Sequence, residues 1–193
     1  MPKYTFNTRK FCLIWFSLEE DIFLTLLNQN ILSKMRLDNH EAQIAFLHSS
    51  KLLSAKAIKE LSEFCRKFDI KPIDIDFKEF ISTLITENDK KLHEKAQLEL
   101  QKSKEKEGCG SVASASDIMR STEALLKEYV YKDFDVSVDF SKAPEFMEID
   151  YPIFLPFFEG QKQKREKGLS NDIIIFAVDD KLELVAKKAL HEV

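Results

Sequence analysis

The sequence predicts an α/β fold built on a parallel sheet. Up to residue 76, three short apolar segments alternate with two segments of helical periodicity. Strands that alternate with helices form parallel sheets through right-handed crossovers. The composition, 44% hydrophobic and 32% charged with only four Gly and five Pro, is typical of a packed domain rather than a disordered chain. At 193 residues the chain has about the length of one domain.

The first half of the chain contains the signals for this sheet. A continuous apolar run at 11–16 is typical of a strand that is buried on both faces. It ends at Ser17, where the SLEE pattern is a capping box that predicts the start of a helix. Ser54 is expected to cap the next helix. Strands are expected at 11–16, 43–49 and 71–76, and helices at 18–35 and 54–68.

The second half repeats strand and helix signals around a highly charged segment. Residues 86–108 are so rich in charge that we expect a solvated helical excursion within a single domain that spans 1–193. A glycine-containing break follows this segment. Beyond it, a helix is expected at 112–129, strands at 132–140, 151–158 and 171–178, and an amphipathic helix at 181–193.

Composition and motifs exclude several classes of function. Twenty-nine Lys and Arg against 33 Asp and Glu give a net charge of −4, which argues against nucleic acid as the main partner. Three widely spaced cysteines indicate reduced thiols. There is no P-loop, dinucleotide or serine hydrolase motif, and no zinc site. Without a membrane-spanning run or an N-terminal signal peptide, we expect the protein in the cytoplasm or exported to a host without such a signal.

The DFD sequence is a candidate metal site. In a strand, residues i and i+2 face the same side, so Asp133 and Asp135 would present two carboxylates together. Hard oxygen ligands of this kind suit a divalent cation, which can neutralise a diphosphate leaving group. The pattern has an alternative interpretation as a solvated strand face, because a second DxD occurs at Asp74 and Asp76.

Two further positions are candidates for ligand binding. Asp117 and Arg120 stand three residues apart, on one face of a predicted helix. Such a pair is either a surface ion pair or a polar clamp, since Arg offers a rigid fork of donors and Asp accepts from hydroxyls. Trp15, the only tryptophan, lies in an apolar run and by itself would be assigned to the core.

The order and spacing of these residues resemble a known family. The segment ASDIMR at 115–120, followed by Tyr131 and then DFD, resembles the glycosyltransferases of the large clostridial toxin type and their bacterial effector relatives. This resemblance implies a GT-A fold, in which helices flank a mixed sheet of the Rossmann type. It also implies a metal-dependent enzyme that transfers a hexose from a UDP-sugar to a hydroxyl acceptor, expected to be a protein side chain, with Mn²⁺ or Mg²⁺ as the cofactor.

The resemblance also implies roles for single residues. Trp15 would stack on the uracil, and Tyr131 would lie beside the nucleotide. Asp117 and Arg120 would hold the donor sugar. Asn171 would open a late strand that closes the sugar site. No catalytic residue is assigned.

For the metal, the resemblance implies that Asp135 is a ligand, with Asp133 contributing while it also contacts the ribose and the sugar. The sequence departs from the family at three places. Glu128 and Tyr129 replace a glycine pair, Ser50 replaces an asparagine near the uridine, and a late tryptophan has no counterpart. The sequence is therefore expected to be a domain truncated at its C-terminus. An alternative interpretation is a non-catalytic remnant or interaction module that retains the donor-binding motifs.

Overall fold

The structure is a computed structural model that describes residues 4–105, 110–136, 142–150, 153–154, 157–158, 168–169 and 173–176. Its strands are β1 (Tyr4–Asn7), β2 (Lys10–Ile14), β3 (Gln43–His48), β4 (Ile70–Asp74), β5 (Val130–Lys132), β6 (Phe146–Ile149), β7 (Ile153–Phe154), β8 (Phe157–Phe158), β9 (Gly168–Leu169) and β10 (Ile173–Phe176). Its helices are α1 (Leu26–Asp38), α2 (Ala55–Lys67), α3 (Lys78–Ile81), α4 (Glu87–Lys104), α5 (Val112–Met119) and α6 (Glu123–Leu126), with a 3₁₀ turn at Ser50–Leu52.

Six strands form the central sheet in the order β4-β3-β2-β5-β10-β7. The first four are parallel to one another, whereas β10 runs antiparallel to both β5 and β7. Two small antiparallel pairs, β1 with β6 and β8 with β9, complete the described sheets. The mixed sheet with flanking helices confirms the predicted α/β fold class.

Strand β2 is buried on both faces, as its apolar run predicted. Phe11 and Leu13 belong to the core on one face, and Cys12 and Ile14 to the core on the other. Helix α2 covers the Phe11 face with Ala57, Leu61 and Cys65. Helices α4 and α5 cover the opposite face with Ala96, Leu100, Ala115 and Met119. The sheet is thus the middle layer of three, as parallel sheets require.

Helix α1 begins later than the capping-box pattern predicted. The Ser17 hydroxyl accepts the backbone N–H of Glu19 at 3.2 Å, which makes a local turn instead of a helix cap. The cap is Thr25, whose side chain accepts the N–H of Asn28 at 3.3 Å. Phe23 and Leu24, which precede this cap, are buried in the core. Burial of these two side chains outweighs the local capping signal at Ser17.

The charged segment forms α4 from Glu87 to Lys104, and one side of this helix packs on the domain. Leu92, Ala96 and Leu100 are buried along one side of α4. Two of them, Ala96 and Leu100, belong to the same core cluster as α5. Apart from the buried Asp89, the charge of α4 therefore lies on its outer sides, while a narrow apolar stripe packs on the domain. Among the described residues, no helix is long and apolar enough to cross a membrane.

The predicted helix over 112–129 is two helices with a break between them. Helix α5 ends with Arg120 as its C-cap, and Thr122 is the N-cap of α6. The Thr122 hydroxyl donates to the carbonyl of Met119 at 2.8 Å, inside the break. This break places Arg120 at a helix end, beside Tyr131 of β5 and Asp133 after it. Of the three cysteines, Cys12 and Cys65 are buried free thiols, and Cys109 lies outside the described residues.

Candidate functional site

The carboxyl ends of four parallel strands meet at one edge of the sheet. From β2 the chain passes to β3 and β4 on one side, and later returns to β5 on the other side of β2. The strand order therefore reverses between β2 and β5. In open α/β sheets, ligands bind at the carboxyl ends of the strands beside such a switch point. Trp15 follows β2 and Asp133 follows β5, so these two residues flank that position.

Arg120 is the centre of a polar network on the β5 side. The residue is buried, and its guanidinium lies in ion-pair contact with Asp117 and 3.3 Å from an oxygen of Asp133. Its Cζ also lies 5.4 Å from the ring centre of Tyr131, a cation–π contact. The structure therefore brings together four predicted site residues from α5, β5 and the turn after β5.

The Tyr131 hydroxyl completes this network. It donates to Asp133, and the Arg120 guanidinium lies 3.5 Å from it. Burial, and then the hydrogen bond to Asp133, raise the pKa of Tyr131, so the hydroxyl stays protonated and remains a donor at neutral pH. Asp133 is thereby held by two donors, a hydroxyl and a guanidinium.

The two aspartates of DFD do not lie in a strand. Strand β5 ends at Lys132, and residues 133–135 form a turn in which the N–H of Val136 points to the carbonyl of Asp133 at 3.4 Å. The strand predicted over 132–140 is therefore wrong at 133–136, and 137–141 lie outside the described residues. Asp135 is exposed and Asp133 is half-buried. Tertiary contacts at Asp133 outweigh the alternating pattern that predicted the strand.

Trp15 is not a core residue. It is half-buried, and its ring meets the ring of Phe134 edge to face, with centres 5.8 Å apart. Trp15 packs against the core on the α2 side of the sheet, whereas Tyr131 belongs to the core on the α4 and α5 side. The predicted base platform and the predicted sugar clamp thus lie on opposite sides of the sheet edge.

Three residues of this region were not identified from the sequence. Phe134 lies between the two aspartates of DFD and packs on Trp15. Lys132 is almost completely buried beside the same turn. His48 ends β3 and stacks on Phe46, with ring centres 6.3 Å apart. One pattern in the sequence could have identified two of them. Side chains alternate along a strand, so Lys132 and Phe134 are expected on the same face.

Asp76, from the second DxD pattern, has a structural role. Its carboxylate accepts from the Ser49 hydroxyl at 2.6 Å, the Lys51 N–H at 3.0 Å and the Gln97 amide at 2.7 Å. Burial alone would raise the pKa of Asp76, but these hydrogen bonds and the nearby Lys51 charge lower it below its ordinary value. Asp76 therefore joins the end of β3 to α4 and stays ionised.

Asn171, the remaining predicted site residue, lies outside the described residues. No group of three or more His, Cys, Asp or Glu side chains is placed to hold a metal ion by itself within the described ranges. A metal at Asp133 and Asp135 would therefore need ligand oxygens from elsewhere, such as a diphosphate or water.

The fold has known counterparts among solved structures. One, titled "PaToxG Glycosyltransferase", matches with a TM-score of 0.68 at 18% identity, covering 98% of this chain and 61% of that one. The chain thus spans about three-fifths of the length of that structure. Another, titled "Structure of Transferase", matches with a TM-score of 0.57 at 16% identity, covering 96% of this chain and 80% of that one.

The sequence itself gives the stronger assignment. No curated protein matches it. The family model described as glycosyltransferase family 88 matches residues 1–191, which is nearly the whole of the 193-residue chain. The chain therefore belongs to glycosyltransferase family 88.

Proposed function

We propose that this chain is a metal-dependent glycosyltransferase that transfers a hexose from a UDP-sugar to a hydroxyl of a protein side chain. One observation carries the proposal. Buried Arg120 joins Asp117 to Asp133 at the exit of β5, across the switch point from half-exposed Trp15. Membership of glycosyltransferase family 88 supports glycosyl transfer as the chemistry.

The base of the donor would stack on Trp15. Trp15 packs edge to face on Phe134 and remains partly exposed. Stacking of a base on an aromatic side chain contributes roughly 1 to 3 kcal/mol and does not depend on base identity. Trp15 would therefore contribute affinity, and other groups would have to read the base.

The sugar would bind on the other side of the edge, at Asp117 and Arg120. The Asp117 side chain is 59% exposed, so its oxygens remain available to accept from sugar hydroxyls. Arg120 is held by two carboxylates and a tyrosine ring, which orients its fork of donors. Groups fixed in this way bind a polar ligand without a large loss of side-chain entropy.

Asp133 and Asp135 would hold the divalent cation. Their carboxylate oxygens are the hard ligands that Mg²⁺ and Mn²⁺ prefer, and Mg²⁺ sites commonly combine one or two carboxylates with phosphate oxygens. When bound, the cation supplies Lewis acidity that neutralises a diphosphate leaving group. Tyr131 and Arg120 orient Asp133 by donating to its carboxylate, and exposed Asp135 would face the ligand.

Titration of UDP with and without Mn²⁺ tests the donor site. Because Trp15 is the only tryptophan, its fluorescence reports directly on the stacking platform. We expect UDP to quench it, and Mn²⁺ to strengthen the binding. Calorimetry of Asp135→Asn should show loss of the Mn²⁺ effect, and Trp15→Ala should bind UDP about tenfold or more weakly. Asp38→Asn, an exposed carboxylate near the end of α1, is the matched control and should bind as wild type does.

Hydrolysis of UDP-glucose and UDP-N-acetylglucosamine then separates an enzyme from a binding module. Mn²⁺-dependent release of UDP that Asp135→Asn abolishes supports the enzyme. Metal-dependent UDP binding without any hydrolysis or transfer supports the alternative, a non-catalytic module that retains the donor motifs. Absence of UDP binding by the folded protein contradicts both.

A further inference from the structure

A row of aromatic rings extends from Trp15 to the end of β3. Phe134 packs edge to face on Trp15 and also on Phe46, with ring centres 5.8 and 6.3 Å apart respectively. Phe46 in turn stacks on His48, at 6.3 Å and with the two planes only 17° apart. The row therefore begins at the proposed base platform and ends on a side chain that can form hydrogen bonds.

The imidazole of His48 is buried with an unsatisfied nitrogen. The residue is only 5% exposed, and its Nδ1 has no hydrogen-bond partner among the described residues. Buried polar atoms of this kind are rare, since each one left unpaired costs about 1 to 3 kcal/mol. The indole Nε1 of Trp15 is a second buried polar atom with no partner within the described part of the chain.

The strand register places these two residues side by side. Ile14 is paired with Leu47 between β2 and β3, and the N–H of Trp15 donates to the carbonyl of Leu47 at 3.1 Å. Trp15 and His48 are the next residues on their strands, and alternation puts both side chains on the α2 side of the sheet. Both unsatisfied atoms thus lie at the carboxyl ends of adjacent parallel strands, at the edge where ligands bind.

The charge state of His48 suits recognition of a neutral ligand. Burial lowers the pKa of the ring below its ordinary value, although Asp74 and Asp76 act in the opposite direction. The imidazole is therefore neutral at pH 7. A neutral imidazole has one N–H donor and one acceptor nitrogen.

We propose that His48 reads the hydrogen-bonding edge of the pyrimidine base that stacks on Trp15, and so selects uracil over cytosine. This inference rests on the proposed function, because it requires a nucleotide donor at Trp15. The two bases have the same size and stack alike. They differ at position 4, where uracil has a carbonyl acceptor, as thymine does, and cytosine has an amino donor. With its proton on Nδ1, the neutral ring would donate to the position-4 carbonyl of uracil, whereas the amino group of cytosine would present a second donor that the N–H cannot pair with.

Competition between UDP and CDP tests this role, with Trp15 fluorescence in the presence of Mn²⁺ as the readout. We expect wild-type protein to bind UDP roughly tenfold more tightly than CDP, as one neutral hydrogen bond allows. His48→Phe keeps an aromatic ring against Phe46 but removes both nitrogens, so the UDP-to-CDP affinity ratio should fall to near one. His40→Phe, at an exposed histidine, is the matched control and should keep the wild-type ratio.

A second variant distinguishes loss of the hydrogen bond from a folding defect. In His48→Asn the side-chain amide takes the place of Nδ1 in a smaller side chain, and it should recover part of the preference for UDP. The proposal is overturned if wild-type protein binds UDP and CDP equally, or if His48→Phe keeps the wild-type ratio. If wild-type protein shows the expected UDP-to-CDP affinity ratio and the His48 variants leave that ratio unchanged, the proposed function stands and the role of His48 is wrong. If it binds neither nucleotide, the proposed function fails as well.

Discussion

Asp89, in the first turn of α4, accepts the backbone N–H of Glu123, the first residue of α6, at 2.9 Å. Its second oxygen accepts the N–H of Ala124 at 3.1 Å. The side chain is buried, and it satisfies donors at the start of a helix 34 residues further along the chain. The charged helix therefore holds the break between α5 and α6 in place, and with it the position of Arg120.

We expect Asp89→Ala to lower the free energy of unfolding by about 2 kcal/mol, because two N–H groups at the start of α6 lose their acceptor. Urea denaturation followed by circular dichroism measures this. Glu94→Ala, at an exposed position of the same helix, is the control and should stay within about 0.5 kcal/mol of wild type. Equal effects of the two variants would show that Asp89 is not a cap.

Arg120→Lys should weaken the proposed donor site while keeping a positive charge there. A lysine presents a single ammonium and cannot bridge Asp117 and Asp133 as the guanidinium fork does. Loss of a charge-assisted hydrogen bond costs roughly 1.5 to 3 kcal/mol, so UDP-sugar hydrolysis should fall about 10- to 100-fold. Steady-state hydrolysis assays measure this, with Arg66→Lys on the exposed side of α2 as the control. Wild-type rates in Arg120→Lys would contradict the bridging role.

Gly110→Ala should destabilise the contact between α4 and the segment that leads into α5. A Cβ at this position would lie 2.5 Å from the Lys102 Cβ and 2.5 Å from the Ser103 nitrogen, which is closer than real atoms approach. Relief requires backbone movement, and overpacking of this kind costs about 1 to 3 kcal/mol. Thermal unfolding should therefore show a lower Tm, while Ser114→Ala, at an exposed residue of α5, should not change it. An unchanged Tm in Gly110→Ala would mean that the segment is not packed this closely.

Lys132→Met should stabilise the protein at neutral pH. Burial lowers the pKa of Lys132 from 10.5 to about 8, although Asp133 and Asp135 raise it. The unfolded chain therefore binds more protons than the folded one between about pH 8 and 10.5. The charge of Lys132 therefore lowers the free energy of unfolding by its full amount below pH 8, and this effect disappears as the pH rises above 10.5. The shift corresponds to on the order of 3 kcal/mol.

Urea titrations of Lys132→Met and wild type at pH 7, 8, 9 and 10 measure this difference directly. Comparing the two proteins cancels the titration of the cysteines and tyrosines that they share. The gain in stability should be largest at pH 7 and should shrink steadily as the pH rises. Lys67→Met, at an exposed position, should show no such trend. A gain that is the same at every pH would exclude the buried charge as its cause.

Sequence patterns predicted the features that depend only on residues within one strand or one helix. The apolar run of β2 identified a strand buried on both faces, because every side chain of such a strand must be apolar. The spacing of Asp117 and Arg120 identified a shared helix face, and the structure confirms their contact. Periodicity along one element was sufficient in both cases.

Contacts between distant segments account for the differences. No local rule connects Asp89 with the N–H of Glu123, since the two lie 34 residues apart. The turn at 133–135 likewise depends on Tyr131, Arg120 and Trp15, which come from three elements. The pairing of β1 with β6 spans an even longer separation. Sequence patterns can identify such residues as candidates, but tertiary packing determines what each one contacts.

Among the described strands, β4 forms one edge of the central sheet, and its sequence bears on how the protein behaves at high concentration. An edge strand exposes backbone groups that can pair with another molecule and start aggregation. Pro72, in the middle of β4, has no N–H to donate, and Lys71 beside it places a charge on the exposed surface. An incoming strand would meet a missing donor and a charge that it would have to desolvate. This border of the sheet thus resists intermolecular strand addition, which favours colloidal stability of the folded protein.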